Sequence, residues 1–466
     1  MKPFIKKIQS IHFLYFLIVI SLTSWTNAET KRLNVVFFLV DDLGYGDLGY
    51  TGSKIAQTPN IDDFAAENTI FTHGFAASPH CSPSRAAILT GKYPARLHIT
   101  SWIGTKQPKT FKNLELPTQK NHLPESHNTL GKYFQSQGYQ TANVGKWHMG
   151  GNIVSPSKHG FNEVIGFAVG PGPGRSSQWF GPYPKIKDLS GPEEEYISDR
   201  LTDESIDFIK RNKEQPFFLM LQHYDVHKPF SAPEEMVKKY EALGRKRAQG
   251  LENAFFLAMK QSMDESFGRI IQTLKKEKLF EKTILVFSSD NGGIEGLARN
   301  QPFRKGKKFF HEGGIRVPLL MRVPGRTNVK SVIDTPVHGI DFFPTLVELS
   351  GGQLEEIQSE LDGISFSSLF DGKNNLSRDT LYWHQPLLAK GSGFIHPQGV
   401  VLNEYLKMIH YYGNTKKDEL YDISKDPSEQ RNLAFQYPEK MKQMRAKLMN
   451  HLKQVEAQKV FVKMNE

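Results

Sequence analysis

Leu33-Asn34-Val35-Val36-Phe37-Phe38-Leu39-Val40-Asp41-Asp42 is an almost unbroken apolar run stopped by two adjacent carboxylates. A short apolar run of this kind reads as a strand buried on both faces. The pattern recurs along the chain. Thr141 to Val144 runs into Gly145-Lys146-Trp147-His148, Phe217 to Leu221 leads to Asp225 and His227, and Ile284 to Phe287 ends at Asp290-Asn291. Helical stretches such as Asn60 to Asn68 and Leu130 to Gln137 lie between these runs. The alternation predicts an α/β fold, with a mainly parallel central sheet flanked by helices. In such sheets ligands bind beyond the carboxyl ends of the strands. Carboxylates, a lysine and two histidines delivered to one edge mark it as a place of chemistry, since packing alone does not ask for them.

The N-terminus reads as a signal peptide over residues 1–28. Lys2, Lys6 and Lys7 precede an apolar run from Ile11 to Leu22, and Thr26-Asn27-Ala28 offers a cleavage point before Glu29. That run is shorter than the roughly 20 residues of a membrane span. The expectation is an exported protein, periplasmic or secreted, with no stable membrane insertion. Residues 29–372 are read as the catalytic domain and 373–466 as a C-terminal subdomain, the boundary falling after the loop Asp371 to Asn375. Beyond it come the short alternating runs Leu381 to His384 and Val400 to Tyr412. Met441, Met444, Leu448, Leu452 and Val455 then recur at helical spacing, which predicts an amphipathic helix packed on a small sheet.

The formal charge of +10 over 466 residues suits an anionic partner. Nucleic acid is not the expected one, because the basic residues are scattered and no recognised nucleic-acid module is present. Cys81 is the only cysteine, so it cannot form an internal disulfide; taken alone it reads as a buried inert thiol or a reactive group, and its context has to decide. It heads the run Cys81-Ser82-Pro83-Ser84-Arg85-Ala86-Ala87-Ile88-Leu89-Thr90-Gly91, where Pro83 suits the first turn of a helix and Gly91 its end. A helix N-terminus carries partial positive charge and free N–H groups, suited to an oxyanion. Asp41, Asp42, Asp290 and Asn291 offer only oxygen ligands, as a hard divalent cation such as Ca²⁺ or Mg²⁺ requires.

The run from Cys81 to Gly91 closely resembles the signature of the type I sulfatases. In that family the cysteine is converted after translation to Cα-formylglycine (3-oxoalanine), whose hydrated aldehyde is the nucleophile. Gly145-Lys146-Trp147-His148 resembles the family's Gly-Lys-Trp-His element, and His227-Lys228-Pro229 its His-x-Pro element. Lys307 matches the family lysine five residues before Glu312-Gly313-Gly314, with Lys308 standing where many relatives have glycine. The resemblance implies an alkaline-phosphatase-like core with a smaller C-terminal antiparallel sheet. It also implies one cation, Ca²⁺ with Mg²⁺ as the alternative, held by Asp41, Asp42, Asp290, Asn291 and the modified Cys81. The implied catalytic set is Cys81, Arg85, Lys146, His148, His227 and Lys307. In it, Arg85 holds the diol, His227 and Lys307 protonate or polarise the leaving oxygen, and His148 takes the proton that releases sulfate. A formylglycine-generating maturation enzyme is the implied partner.

The rivals are a phosphonate monoester or phosphodiester hydrolase on the same core and a catalytically silent glycan-binding homologue. Two-zinc phosphatases need histidine ligands beside carboxylates, whereas the strand end here is Asp290-Asn291. Other motifs, among them His223-Tyr224-Asp225-Val226-His227, look like bacterial carbohydrate sulfatases. The expected substrate is therefore a sulfated oligosaccharide or polysaccharide, from an algal galactan of the carrageenan type, an ulvan or a fucan, or from a glycosaminoglycan. Arg175 and Trp179 in the loop Gly170 to Tyr183, Arg304, and His384 or His396 are the candidate substrate contacts.

Overall fold

The computed structural model describes residues 32–104, 108–326, 331–355, 357–388 and 396–463. The expected leader over residues 1–28 lies outside them. The strand Asn34–Val40 forms at the centre of an eight-stranded sheet, between Thr283–Ser289 and Phe217–Gln222. Its residues alternate between two cores. Val36, Phe38 and Val40 face one, while Val35, Phe37 and Leu39 face the other. Each side chain so buried contributes roughly 1.5–3 kcal/mol, which is why the run is apolar throughout instead of alternating.

Across the sheet the strands follow the order Ser331–Ile333, Thr69–Phe71, Leu319–Arg322, Thr283–Ser289, Asn34–Val40, Phe217–Gln222, Gln140–Gly145, Glu163–Ile165. Only Leu319–Arg322 runs against its neighbours. The helices Pro59–Glu67, Ile197–Arg211 and Ala254–Lys276 cover one face. Cys81–Thr90, Leu130–Ser136 and Phe342–Leu349 cover the other. Every residue of Cys81–Thr90 is buried, and Gly91 ends it at a φ of 64°, its N–H donating to Ala87 O at 2.9 Å.

A separate four-stranded antiparallel sheet is built from Thr380–Gln385, Gln398–Asn403, Leu406–Tyr411 and Glu419–Asp422. The single run expected from Val400 to Tyr412 is two strands, because Glu404 adopts a φ of 56° and turns the chain back. The helix Pro438–Gln454 lays Met441, Met444 and Leu448 against this sheet. Past the helix the chain returns to the N-terminal half, where Phe461–Val462 pairs with Leu114–Glu115. Among the described residues no helix is long and apolar enough to cross a membrane.

Candidate active site

Four parallel strands end at the same edge, and their C-terminal loops are laced together. Asp41 N donates to Asp225 O at 3.0 Å, Val226 N to Asp41 O at 2.8 Å, and Asp290 N to Val40 O at 3.0 Å. Asp225 is itself pinned by Tyr196 Oη at 2.7 Å and Ser198 Oγ at 2.5 Å, which fixes the turn carrying His227. Lys307 reaches the same place from a loop tied to both neighbours. Its N–H donates to Gly293 O at 2.9 Å, and that of Lys308 to Pro79 O at 2.9 Å, two residues before Cys81. Glu312 anchors the far end of this loop to the C-terminal sheet through Lys407 at 2.7 Å, and to Arg316 at 2.9 Å.

Cys81 is buried at the first residue of its helix. Its Sγ lies 3.5 Å from Asp41 Oδ1, 4.0 Å from Asp42 Oδ1 and 3.4 Å from Lys307 Nζ. Arg85, one turn on, donates from Nε to Asp290 Oδ2 at 2.8 Å and from one terminal nitrogen to Gln222 Oε1 at 2.7 Å. Its other terminal nitrogen is 4.0 Å from Asp41 and, although buried, has no hydrogen-bond partner among the described residues. Lys146 pairs with Asp41, and Lys307 with Asp42 at 2.6 Å. Three acids and three bases thus interlock.

The acids of Asp41, Asp42 and Asp290, with the Cys81 sulfur, converge so that one ligand atom from each lies within 4.8 Å of the others. Burial, reinforced by the charges of Asp290 and Asp42, pushes Asp41 up to about 7 against the pull of Lys146 and Arg85. Burial also opposes charge on Asp42, but Lys307, His227 and Lys146 outweigh it and hold the carboxyl below the usual range. Asn291 donates from Nδ2 to Asp42 at 2.8 Å and leaves its buried Oδ1 without a partner among the described residues. A hard cation fits this donor set. It meets crowded carboxylates and an orphaned amide oxygen, and it adds two positive charges to a cluster otherwise balanced.

His148 and His227 complete the floor. His148 stands at a φ of 52°, and its Nε2 contacts Ile103 O at 3.1 Å. A carbonyl accepts only, so Nε2 carries the proton and Nδ1, buried and unpartnered among the described residues, has the free lone pair. His227 Nδ1 likewise donates to Lys228 O at 2.5 Å, leaving Nε2 3.8 Å from Asp42. Burial first, then the nearby lysines, hold both imidazoles well below the ordinary histidine value. These residues floor a cavity of about 690 Å³ whose wall includes Trp102, Val169, Pro171, Ile294 and Phe309.

Asp41, Asp42, Cys81, Arg85, Lys146, His148, His227, Lys307, Asp290 and Asn291 are all brought together. The expected substrate contacts are not. Trp179 is wholly buried, stacked on Tyr196 at 6.2 Å and edge-on to Tyr224, so its indole packs the core and cannot meet a sugar. His384 is held in the C-terminal subdomain by Tyr412 Oη at 2.6 Å and Gln458 O at 2.9 Å. Arg304 turns away to Glu429 O at 2.8 Å and Tyr421 Oη at 3.3 Å, serving the joint between the subdomains. Arg175 is exposed beyond Gly170 and Pro171, which do line the cavity, and His396 packs edge-on to Phe111. Two contributors went unnoticed in the sequence. Gln222, the polar end of the strand Phe217–Gln222, orients Arg85 and carried the same signal as Asp41. Trp102 sits in a loop without periodicity and gave none.

A family model described as Sulfatase matches residues 33–352. The chain belongs to the sulfatase family. A second model, N-sulphoglucosamine sulphohydrolase, C-terminal, matches residues 304–458. The sulfatase is 28% identical over 481 residues to a Sulfatase of Formosa agariphila, covering 88% of this chain and 85% of the relative. It is 27% identical over 467 residues to the Steryl-sulfatase of Homo sapiens, covering 82% and 77%. Its fold superposes on the crystal structure of Ps i-CgsB in complex with k-i-k-neocarrahexaose with a TM-score of 0.77, at 28% identity over 90% of this chain and 93% of that one. The core is alkaline-phosphatase-like, and the activity is hydrolysis of sulfuric esters.

Proposed function

We propose that this sulfatase is exported and removes sulfate from a sulfated glycan, acting on oligosaccharides of an algal polysaccharide of the ulvan, carrageenan-type galactan or fucan kind. The nucleophile is a formylglycine made from Cys81 by a maturation enzyme, beside one Ca²⁺, with Mg²⁺ as the alternative. The observation that carries this reading is the position of Cys81 Sγ, on the cavity floor between Asp41, Asp42 and Lys307. The likeness to Ps i-CgsB, solved with a carrageenan oligosaccharide, supports the glycan assignment. A floor this deeply buried suits chain ends and protruding units better than the middle of a stiff polymer.

Formylglycine supplies two hydroxyls on one carbon when hydrated, which no unmodified side chain does. The cation, held by Asp41, Asp42, Asp290 and Asn291, supplies positive charge that orients and acidifies an oxygen at position 81. Arg85, Lys146 and Lys307 surround the sulfate with donors, and the unpartnered terminal nitrogen of Arg85 is free to serve that purpose. The Lys307 ammonium, held charged by Asp42 at 2.6 Å, polarises and protonates the bridging oxygen, with the neutral His227 beside it, so that the alcohol leaves neutral. His148 Nδ1, neutral because burial disfavours its cation, accepts the proton that frees the sulfate.

Mass spectrometry of the peptide containing Cys81, together with sulfate release by wild type and Cys81→Ala on defined sulfated oligosaccharides, tests the reading. Wild type should carry an aldehyde in place of the thiol and release sulfate, whereas Cys81→Ala should fold and release none. An unmodified thiol in fully active protein would refute the mechanism.

A further inference from the structure

The cavity is larger than a sulfate needs. About 690 Å³ lies within the range of pockets that take a whole small ligand, roughly 300–1,000 Å³. Cys81, His148, His227 and Lys307 account for its floor. Its wall is largely apolar, but two further lysines, Lys228 and Lys308, line it as well. Glu295, also on the wall, is already paired with Lys305 at 3.2 Å.

Lys308 occupies a position that the backbone reserves for a different residue. Its φ is 82°, in the left-handed region where a residue with a β-carbon is disfavoured by about 1–2 kcal/mol and glycine is relaxed. Strain kept at the mouth of a site calls for a compensating role. The backbone of Lys308 holds the loop to Pro79 O at 2.9 Å, which glycine could do as well, but no carboxylate engages the side chain: among the described residues neither Lys308 nor Lys228 forms an ion pair with a carboxylate. The Lys308 ammonium lies 5.6 Å from the centre of the Trp102 ring. Burial, and then the positive charges of Lys307 and Lys228, hold its pKa down, while the opposing charge of Asp42 is already engaged by Lys307. The mouth is therefore crowded with cations beyond those the scissile sulfate needs.

We infer that Lys308 and Lys228 form a second anion subsite above the sulfate pocket, taking a further sulfate ester or a carboxylate on the sugar that carries the scissile group or on its neighbour. Trp102, with the Lys308 ammonium over its ring, is part of the wall beside the subsite. The subsite rests on the glycan reading above and deepens it. The preferred substrates are polyanionic at the repeat being cleaved, and a singly sulfated sugar lacks the second contact. The two lysines are specificity residues, and they take no part in breaking the ester.

The test uses binding, so that it does not depend on turnover. Saccharides from carrageenan, fucan and glycosaminoglycan, each in a monosulfated and a disulfated form and with a monosulfated uronate alongside, are titrated calorimetrically into Cys81→Ala protein. In at least one set the second anion should tighten binding about tenfold, and the better of the disulfated sugar and the uronate identifies that anion. Adding Lys308→Gly or Lys228→Ala should cut the preference, and the two together should bring it within about twofold. Lys308→Arg should keep it. Glycine relaxes the backbone at position 308, so a thermal midpoint no lower than that of the parent keeps folding out of the comparison. A set-wide absence of preference, or a preference that survives the double substitution, overturns the subsite. Failure of wild type to release sulfate from any of these saccharides would instead refute the glycan reading, leaving the binding result to judge the lysines.

Discussion

Replacing Arg85 with Met removes a cation that is wholly buried, hydrogen-bonds two side chains and stands near a third. Its Nε lies 2.8 Å from Asp290, one terminal nitrogen 2.7 Å from Gln222, and the other 4.0 Å from Asp41. Two carboxylates then remain buried with one cation fewer to balance them. Breaking a buried pair in this way costs about 3–5 kcal/mol, a large part of the roughly 5–15 kcal/mol that holds a domain together. Arg85→Lys separates stability from chemistry. It keeps the charge near Asp290 but abandons Gln222 and the free terminal nitrogen, so stability should fall by only about 1–3 kcal/mol. Sulfate release should still fall by about 10²–10³, the loss typical of one transition-state donor. Urea unfolding and ion chromatography of released sulfate read the two effects. Arg85→Met losing less than about 1 kcal/mol, or Arg85→Lys keeping activity within about threefold, would refute the reasoning.

The cation should matter more as pH rises. Without it, Asp41 is pushed up to about 7 by burial, from an ordinary 3.8. The folded state therefore keeps a proton that the unfolded chain releases, and stability is lost as pH climbs between those values. Asp42, held below its ordinary value, works the other way and loses its contribution only in stronger acid. Ca²⁺ should accordingly raise the thermal midpoint over chelated protein more at about pH 8 than at about pH 5; an equal rise at both would count against Asp41 as a ligand. Trp179→Ala should destabilise the protein by about 3–5 kcal/mol through the cavity it leaves beside Tyr196 and Tyr224. At a temperature where the variant stays folded, its KM should remain near that of wild type, and a large rise in KM would place the indole in contact with substrate after all.

Much of the site was legible because its residues sit where local patterns end. The apolar run to Val40 dictated a strand buried on both faces, and the two carboxylates that stop it fall at the carboxyl edge by necessity. Phe217 to Leu221 and Ile284 to Phe287 carry the same signal, and Pro83 and Gly91 mark the ends of the helix that begins at Cys81 through backbone constraints that need no tertiary context. The wall of the pocket obeys no such rule. Trp179 and Trp102 are both loop tryptophans, and only packing decides that Tyr196 and Tyr224 swallow the first while the second lines the cavity. Arg304 and Lys307 are three residues apart, yet Glu429 and Tyr421, more than a hundred residues later, turn the arginine outward, while Asp42 draws the lysine in. Periodicity and capping act over a few neighbours and are written in the chain. The direction a loop side chain takes depends on partners that only the folded protein brings near.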